Sequence, residues 1–167
     1  MIEMRVAGIA LDAVTRSPIV LLKDASDRRA LPIYIGQEQA KAIISALEKQ
    51  RSPRPLTHDL FVNLMEGWNM KLERVTIHSL QDNTFYASLG VRQGDVKREI
   101  DARPSDAIAI ALRTNSPIWV MEEVVADASI PVDRDADEQE RRAFREFISN
   151  LSPDDFVHHR GFRGGDG

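Results

Sequence analysis

Two spacings of apolar residues divide this chain into elements. Phe85, Ala87, Leu89 and Val91 alternate with Tyr86, Ser88 and Gly90, the two-residue period of a strand with one buried face. Ala40, Ile43, Ile44 and Leu47 instead fall at i, i+3, i+4 and i+7, which places one apolar stripe on a helix. The same two rules, applied from the start, predict strands over Met4–Val14 and Pro18–Lys23, joined as a hairpin through Thr15-Arg16-Ser17, and a third over Ala30–Ile35. The helix that opens at Gln37 stops at Arg51-Ser-Pro-Arg-Pro55, because proline has no amide proton and restricts its predecessor. Thr57 then reads as an N-cap, with Leu60, Phe61, Leu64, Met65 and Trp68 at helical spacing and Gly67 near the stop.

Three further strands, about Lys71–Leu80, Thr84–Arg92 and Asp95–Asp101, are separated by turns short enough for an antiparallel meander. Ala107–Leu112 is apolar all round and so predicts a central helix. Pro117–Met121 follows as a short strand, far enough from Asp101 for a parallel crossover through that helix. The pattern is an α+β fold: a mixed, mostly antiparallel sheet with packed helices and one βαβ-type crossover. Residues 1–130 form the expected domain. Residues 131–167 form an acidic C-terminal extension with a short helix over 138–150, carrying Phe144, Phe147, Ile148 and Leu151, and a disordered glycine-rich end.

Charge changes this picture in one respect. Residues 1–126 hold 16 basic and 16 acidic side chains, whereas residues 127–167 hold 6 and 10, so the net charge of -4 belongs to the tail. A neutral body lacks the broad basic footprint of non-specific nucleic-acid binders; any such role needs a local patch, such as Lys49, Arg51 and Arg54 or the surroundings of Arg103. The chain has no cysteine, which excludes disulfides, thiolate nucleophiles and cysteine-held metals. It has no apolar run long enough for a membrane helix and no secretory leader, so a cytoplasmic location without membrane association is expected.

Candidate chemistry gathers where the last meander strand meets the apolar helix, in Ile100-Asp-Ala-Arg-Pro-Ser-Asp106. A strand end followed by a helix N-terminus offers free N–H donors and a positive dipole end. There Arg103 could fork onto a phosphate, while Asp101 and Asp106 could hold Mg²⁺ or Mn²⁺ through oxygen. The plainer account makes Ser105 the N-cap, Asp106 a dipole partner, and Asp101 with Arg103 one ion pair. His58-Asp59, at the start of another helix, could supply a general base or simply a solvated histidine beside a dipole partner. Glu38 with Lys41 and Glu122-Glu123 read as solvated surface, His78 as solvent-facing or covered by a partner, and His158-His159 as incidental residues of a flexible tail. Walker, GxSxG and HExxH motifs are absent.

The order of Leu31-Pro-Ile-Tyr-Ile-Gly36 with Glu38, then Arg54-Pro-Leu-Thr-His-Asp59, then Ile100-Asp-Ala-Arg-Pro-Ser-Asp-Ala107 and Pro117-Ile-Trp-Val120 resembles the bifunctional nuclease domain family over about residues 1–130. The resemblance implies an α+β domain with DNase and RNase activity that forms a homodimer. It carries no settled catalytic set. Asp101, Asp106, His58 and Asp59 are therefore the expected catalytic residues, with Arg103, Ser105 and Arg54 on the substrate and Asp101, Asp106 and Glu38 on the metal. Asp101, Arg103 and Asp106 are expected to approach His58-Asp59, and with them Glu38, in one cleft. The alternative is a non-enzymatic oligomeric module that uses the same polar cluster for structure or anion binding.

Overall fold

A computed structural model describes residues 1–132 and, further on, Gln139, Arg142, Ala143, Arg145 and Glu146, which are helical and fall inside the predicted 138–150 helix. The remaining expectations for the extension, including Phe144, Phe147, Ile148, Leu151, His158, His159 and the glycine-rich end, lie outside the described residues. By its internal contacts the chain divides into units 1–132 and 133–167.

The first unit is built from two antiparallel meanders. β1 (Ile2–Leu11), β2 (Pro18–Asp24) and β3 (Arg29–Tyr34) form one; β4 (Lys71–Gln81), β5 (Thr84–Gln93) and β6 (Val96–Ala102) form the other. β1 stops three residues short of the expected Val14. Asp12 takes the N–H groups of Val14 and Thr15 at 2.9 Å each and turns the chain there. Between β4 and β5, Asp82 and Asn83 both have positive φ, the backbone of a tight two-residue hairpin turn.

The meanders are joined by three residues. β7 (Ile118–Val120) pairs antiparallel with β1 and parallel with β4, giving one sheet in the order β6-β5-β4-β7-β1-β2-β3-β8. The chain reaches β7 from β6 through α3 (Pro104–Thr114), passing over β5 and β4 as the expected parallel crossover. Two elements had no sequence expectation: α4 (Glu122–Ala128), where Glu122-Glu123 had read as surface, and the two-residue β8 (Ile130–Pro131). α4 forms because Val124 and Val125 bury at the sheet while the glutamates take the first turn, where acidic charge complements the helix dipole.

α1 (Gln37–Leu47) and α2 (Thr57–Gly67) flank α3. Ala107, Ile108, Ala109, Ile110 and Ala111 of α3 are all buried, between β4 and β5 below and the two helices beside them. The small alanines let three helices and a sheet approach closely. α2 forms over the expected residues but buries few of them. Only Val62 and Met65 are buried, while Leu60, Leu64 and Trp68 are 61%, 56% and 65% exposed.

Candidate active site at the junction of two helices

The start of α3 is set by proline. Pro104 occupies the first helical position, for which its fixed φ is suited, and it holds Arg103 extended (φ -65°, ψ 141°) as the cap residue. Ser105 therefore lies inside the first turn and is buried, not at the N-cap. Asp106 follows at the third position. In α2 the helix likewise begins one residue before the sequence expectation: Leu56 holds the cap position and Thr57 is already helical. The Asp59 carboxylate reaches back to accept the Leu56 N–H at 3.0 Å, half of a capping box.

The two helix starts meet through side chains. His58 Nε2 lies 2.9 Å from Asp106 Oδ1, and the other Asp106 oxygen accepts from Arg103 Nε at 2.7 Å. Next to this triad, Arg113 Nε donates to Asp59 Oδ1 at 2.7 Å, and its terminal amine donates to the carbonyls of Ala42 on α1 and Ala109 on α3. Arg113 thus links all three helices, with its side chain only 9% exposed. Its role had no expectation in the sequence. The available signal was an arginine closing an otherwise apolar helix, a charge that needs a partner when the helix is buried.

Burial raises both carboxyl groups, and in both the partners outweigh it. Asp106 is held below the usual carboxylate range by Arg103 and His58, and Asp59 by Arg113 and the Leu56 amide. Both are therefore anionic at neutral pH. The Arg103 side chain is 67% exposed beside the largely covered His58. The junction presents a guanidinium to solvent, an imidazole behind it and a carboxylate that orients both.

The other expected site residues lie elsewhere. Asp101 pairs in register with Ser88 on β5, on the strand face opposite Ala102, which pairs with the buried Ala87. The two-residue period of β6 turns its carboxylate away from α3. Glu38 is on the outer face of α1 and pairs with Lys41 at 3.0 Å. Arg54 is exposed in the loop before α2. Asp101, Asp106 and Glu38 are thus not gathered as ligands of one ion. Among the described residues no group of three His, Asp or Glu side chains could hold a metal. The donor set of the junction, two carboxylates whose oxygens are all already bonded to cationic or N–H partners, does not fit a divalent-metal centre.

Comparison with known proteins agrees with the order of motifs. The family model described as the bifunctional nuclease domain matches residues 20–133. An uncharacterized protein of Mycobacterium tuberculosis strain H37Rv is 43% identical over 164 residues, covering 92% of this chain and 97% of that protein. Bifunctional nuclease 1 of Oryza sativa subsp. indica is 30% identical over 127 residues, covering 72% of this chain and 38% of the rice protein. Similarity spanning strands, crossover and helix junction alike shows that this chain belongs to the bifunctional nuclease domain family.

Proposed function

We propose that the chain hydrolyses phosphodiester bonds of DNA and RNA at the α2–α3 junction, in a cytoplasmic setting and as a homodimer. The observation that carries the reading is the shared carboxylate: Asp106 holds His58 of one helix and Arg103 of the other at 2.9 and 2.7 Å. With Nε committed to Asp106, Arg103 keeps its terminal amines for two oxygens of a phosphate. His58, donating Nε2–H to Asp106, keeps the Nδ1 lone pair. It takes the proton of a water whose oxygen attacks phosphorus, while the ester oxygen leaves and is reprotonated by the imidazolium or solvent. Asp106 stabilises that imidazolium. Arg54 lies in the loop that enters α2 and supplies a further phosphate contact. Dependence on Mg²⁺ or Mn²⁺ is a separate proposal, which no geometry of the junction requires.

The test is cleavage of labelled single-stranded DNA and RNA by the full chain with Mg²⁺, Mn²⁺ or EDTA. His58→Asn and Asp106→Asn should lower the rate by about 10² or more, the usual contribution of a positioned general base. Asp101→Asn should leave it unchanged. Wild-type rates in the first two variants would remove the site from the chemistry.

A second reading rests on the same bonds. Because Asp106 of α3 binds His58 of α2 and Asp59 of α2 binds Arg113 of α3, the cluster also clamps α2 onto α3 without catalysis. An inactive wild type whose Asp106→Asn variant is destabilised would favour this reading.

A further inference from the structure

The apolar stripe of α2 points away from the core. His58, Val62 and Met65 face α3, and at 100° per residue Leu56, Leu60, Leu64 and Trp68 fall on the other side. They form one ridge of four large side chains at i, i+4, i+8 and i+12, and each is at least 44% exposed. Monomeric proteins rarely leave so continuous a patch to water.

The edge strand lies along the same rim. α2 is tied at its start to Asp106, four residues beyond the end of β6, and at its end by Gln93 Nε2, which donates to the Trp68 carbonyl at 2.6 Å where β5 turns into β6. The helix therefore runs antiparallel beside β6. Val96 and Ile100 project from β6 on the helix side of the sheet and are 55% and 44% exposed. β6 is the end strand of the sheet, with seven residues whose outer N–H and C=O groups have no neighbouring strand among the described residues. The opposite end strand, β8, has two residues, one of them proline, and offers no comparable edge.

We infer that a second copy of this chain docks on this rim, with β6 pairing antiparallel to β6 of the second copy and the two α2 ridges closing over the seam. Charge along the strand points to this occupant. Val96-Lys-Arg-Glu-Ile-Asp-Ala102 is basic in its first half and acidic in its second, so it is complementary to itself when reversed. A two-fold centred on Glu99 sets Lys97 across from Asp101 of the second copy; one centred on Arg98 sets it across from Glu99 of the second copy. Either register makes two such opposite-charge pairs, against one like-charged pair on the two-fold itself, Glu99 with Glu99 of the second copy or Arg98 with Arg98 of the second copy. Val96 and Ile100, with Arg98 between them, then share the other face with α2, where the leucine ridges bury each other. The inference names the surface of the homodimer proposed above and is independent of whether the chain is a nuclease.

The test is the mass of the full chain by sedimentation equilibrium over a range of concentrations, with circular dichroism to confirm folding. Wild type should be dimeric. Leu64→Glu and Ile100→Lys, both exposed in the single chain, should stay folded and become monomeric. Lys97→Glu should weaken the dimer by about tenfold or more, because it sets like charges opposite each other at two places. Adding Asp101→Lys or Glu99→Lys to Lys97→Glu should restore the dimer, and which of them does so gives the register. A dimer indifferent to Leu64→Glu, Ile100→Lys and Lys97→Glu would overturn this surface and leave the homodimer standing. A wild type monomeric at every concentration would overturn both.

Discussion

α2 and α3 are both eleven residues long, both have proline at or shortly before their first residue, and both carry large apolar side chains, yet they end up in opposite surroundings. α3 has apolar residues on every side and is buried on every side. α2 buries Val62 and Met65 and shows solvent a leucine ridge. The difference lies in residue size as much as in pattern. The alanines of α3 allow a sheet and two helices to close around it, whereas the bulky residues of α2 leave room for contact with one neighbour. The burial that α2 lacks is offset at its first turn by charge, through His58 to Asp106 and Asp59 to Arg113. A buried helix held by packing and an edge helix held by ion pairs should respond differently to mutation and to pH.

The sharpest contrast should come from truncation. Ile108→Ala, at a fully buried position of α3, should cost about 2–5 kcal/mol in urea unfolding. Arg113→Ala should follow at about 2–3 kcal/mol, below the full penalty for breaking a buried pair because Asp59 is partly exposed. It also leaves the Ala42 and Ala109 carbonyls without a donor, and near-wild-type stability would mean that α2 is not held by its ion pairs.

Acid should act on the same junction. Both Asp59 and Asp106 have folded pKa values below their unfolded ones. Their contribution is therefore complete above the unfolded carboxylate pKa of about 4 and is lost as pH falls through the lowered folded values. Stability should fall below about pH 4, and the fall should be shallower in Asp59→Asn and Asp106→Asn. Equal slopes in all three proteins would show that the junction carboxylates are not linked to folding. The smallest effect is expected on the exposed ridge. Leu64→Ala should change the stability of the dissociated chain by no more than about 0.5 kcal/mol, and a larger loss would mean that the ridge is already covered within one copy.

The site was only partly legible in the sequence. Arg103, Asp106, His58 and Asp59 could be chosen because ionisable residues at a helix start face free N–H groups, a position that serves capping and anion binding alike. That choice says nothing about which of them meet. Asp101 looked equivalent to Asp106, but it is the last residue but one of a strand, and the alternation of β6 turns it to the other face. Arg113, seven residues beyond Asp106, carried no expectation in the sequence, and only the approach of α1 and α2 shows what it holds.

Periodicity determined every described element except α4 and β8, because local spacing decides whether a segment can bury a face as a strand or as a helix. It gave the two meanders, the buried crossover helix and the α+β class, and the order of motifs identified the family. Spacing cannot report how many neighbours will cover an apolar face. The same logic that correctly placed α3 in the core would have placed α2 there as well. Which stripe is buried, which carboxylate meets which histidine, and which strand is left as an open edge are long-range facts. They follow from where β7 inserts between the meanders and where α3 crosses them, and those contacts exist only once the whole sheet has formed.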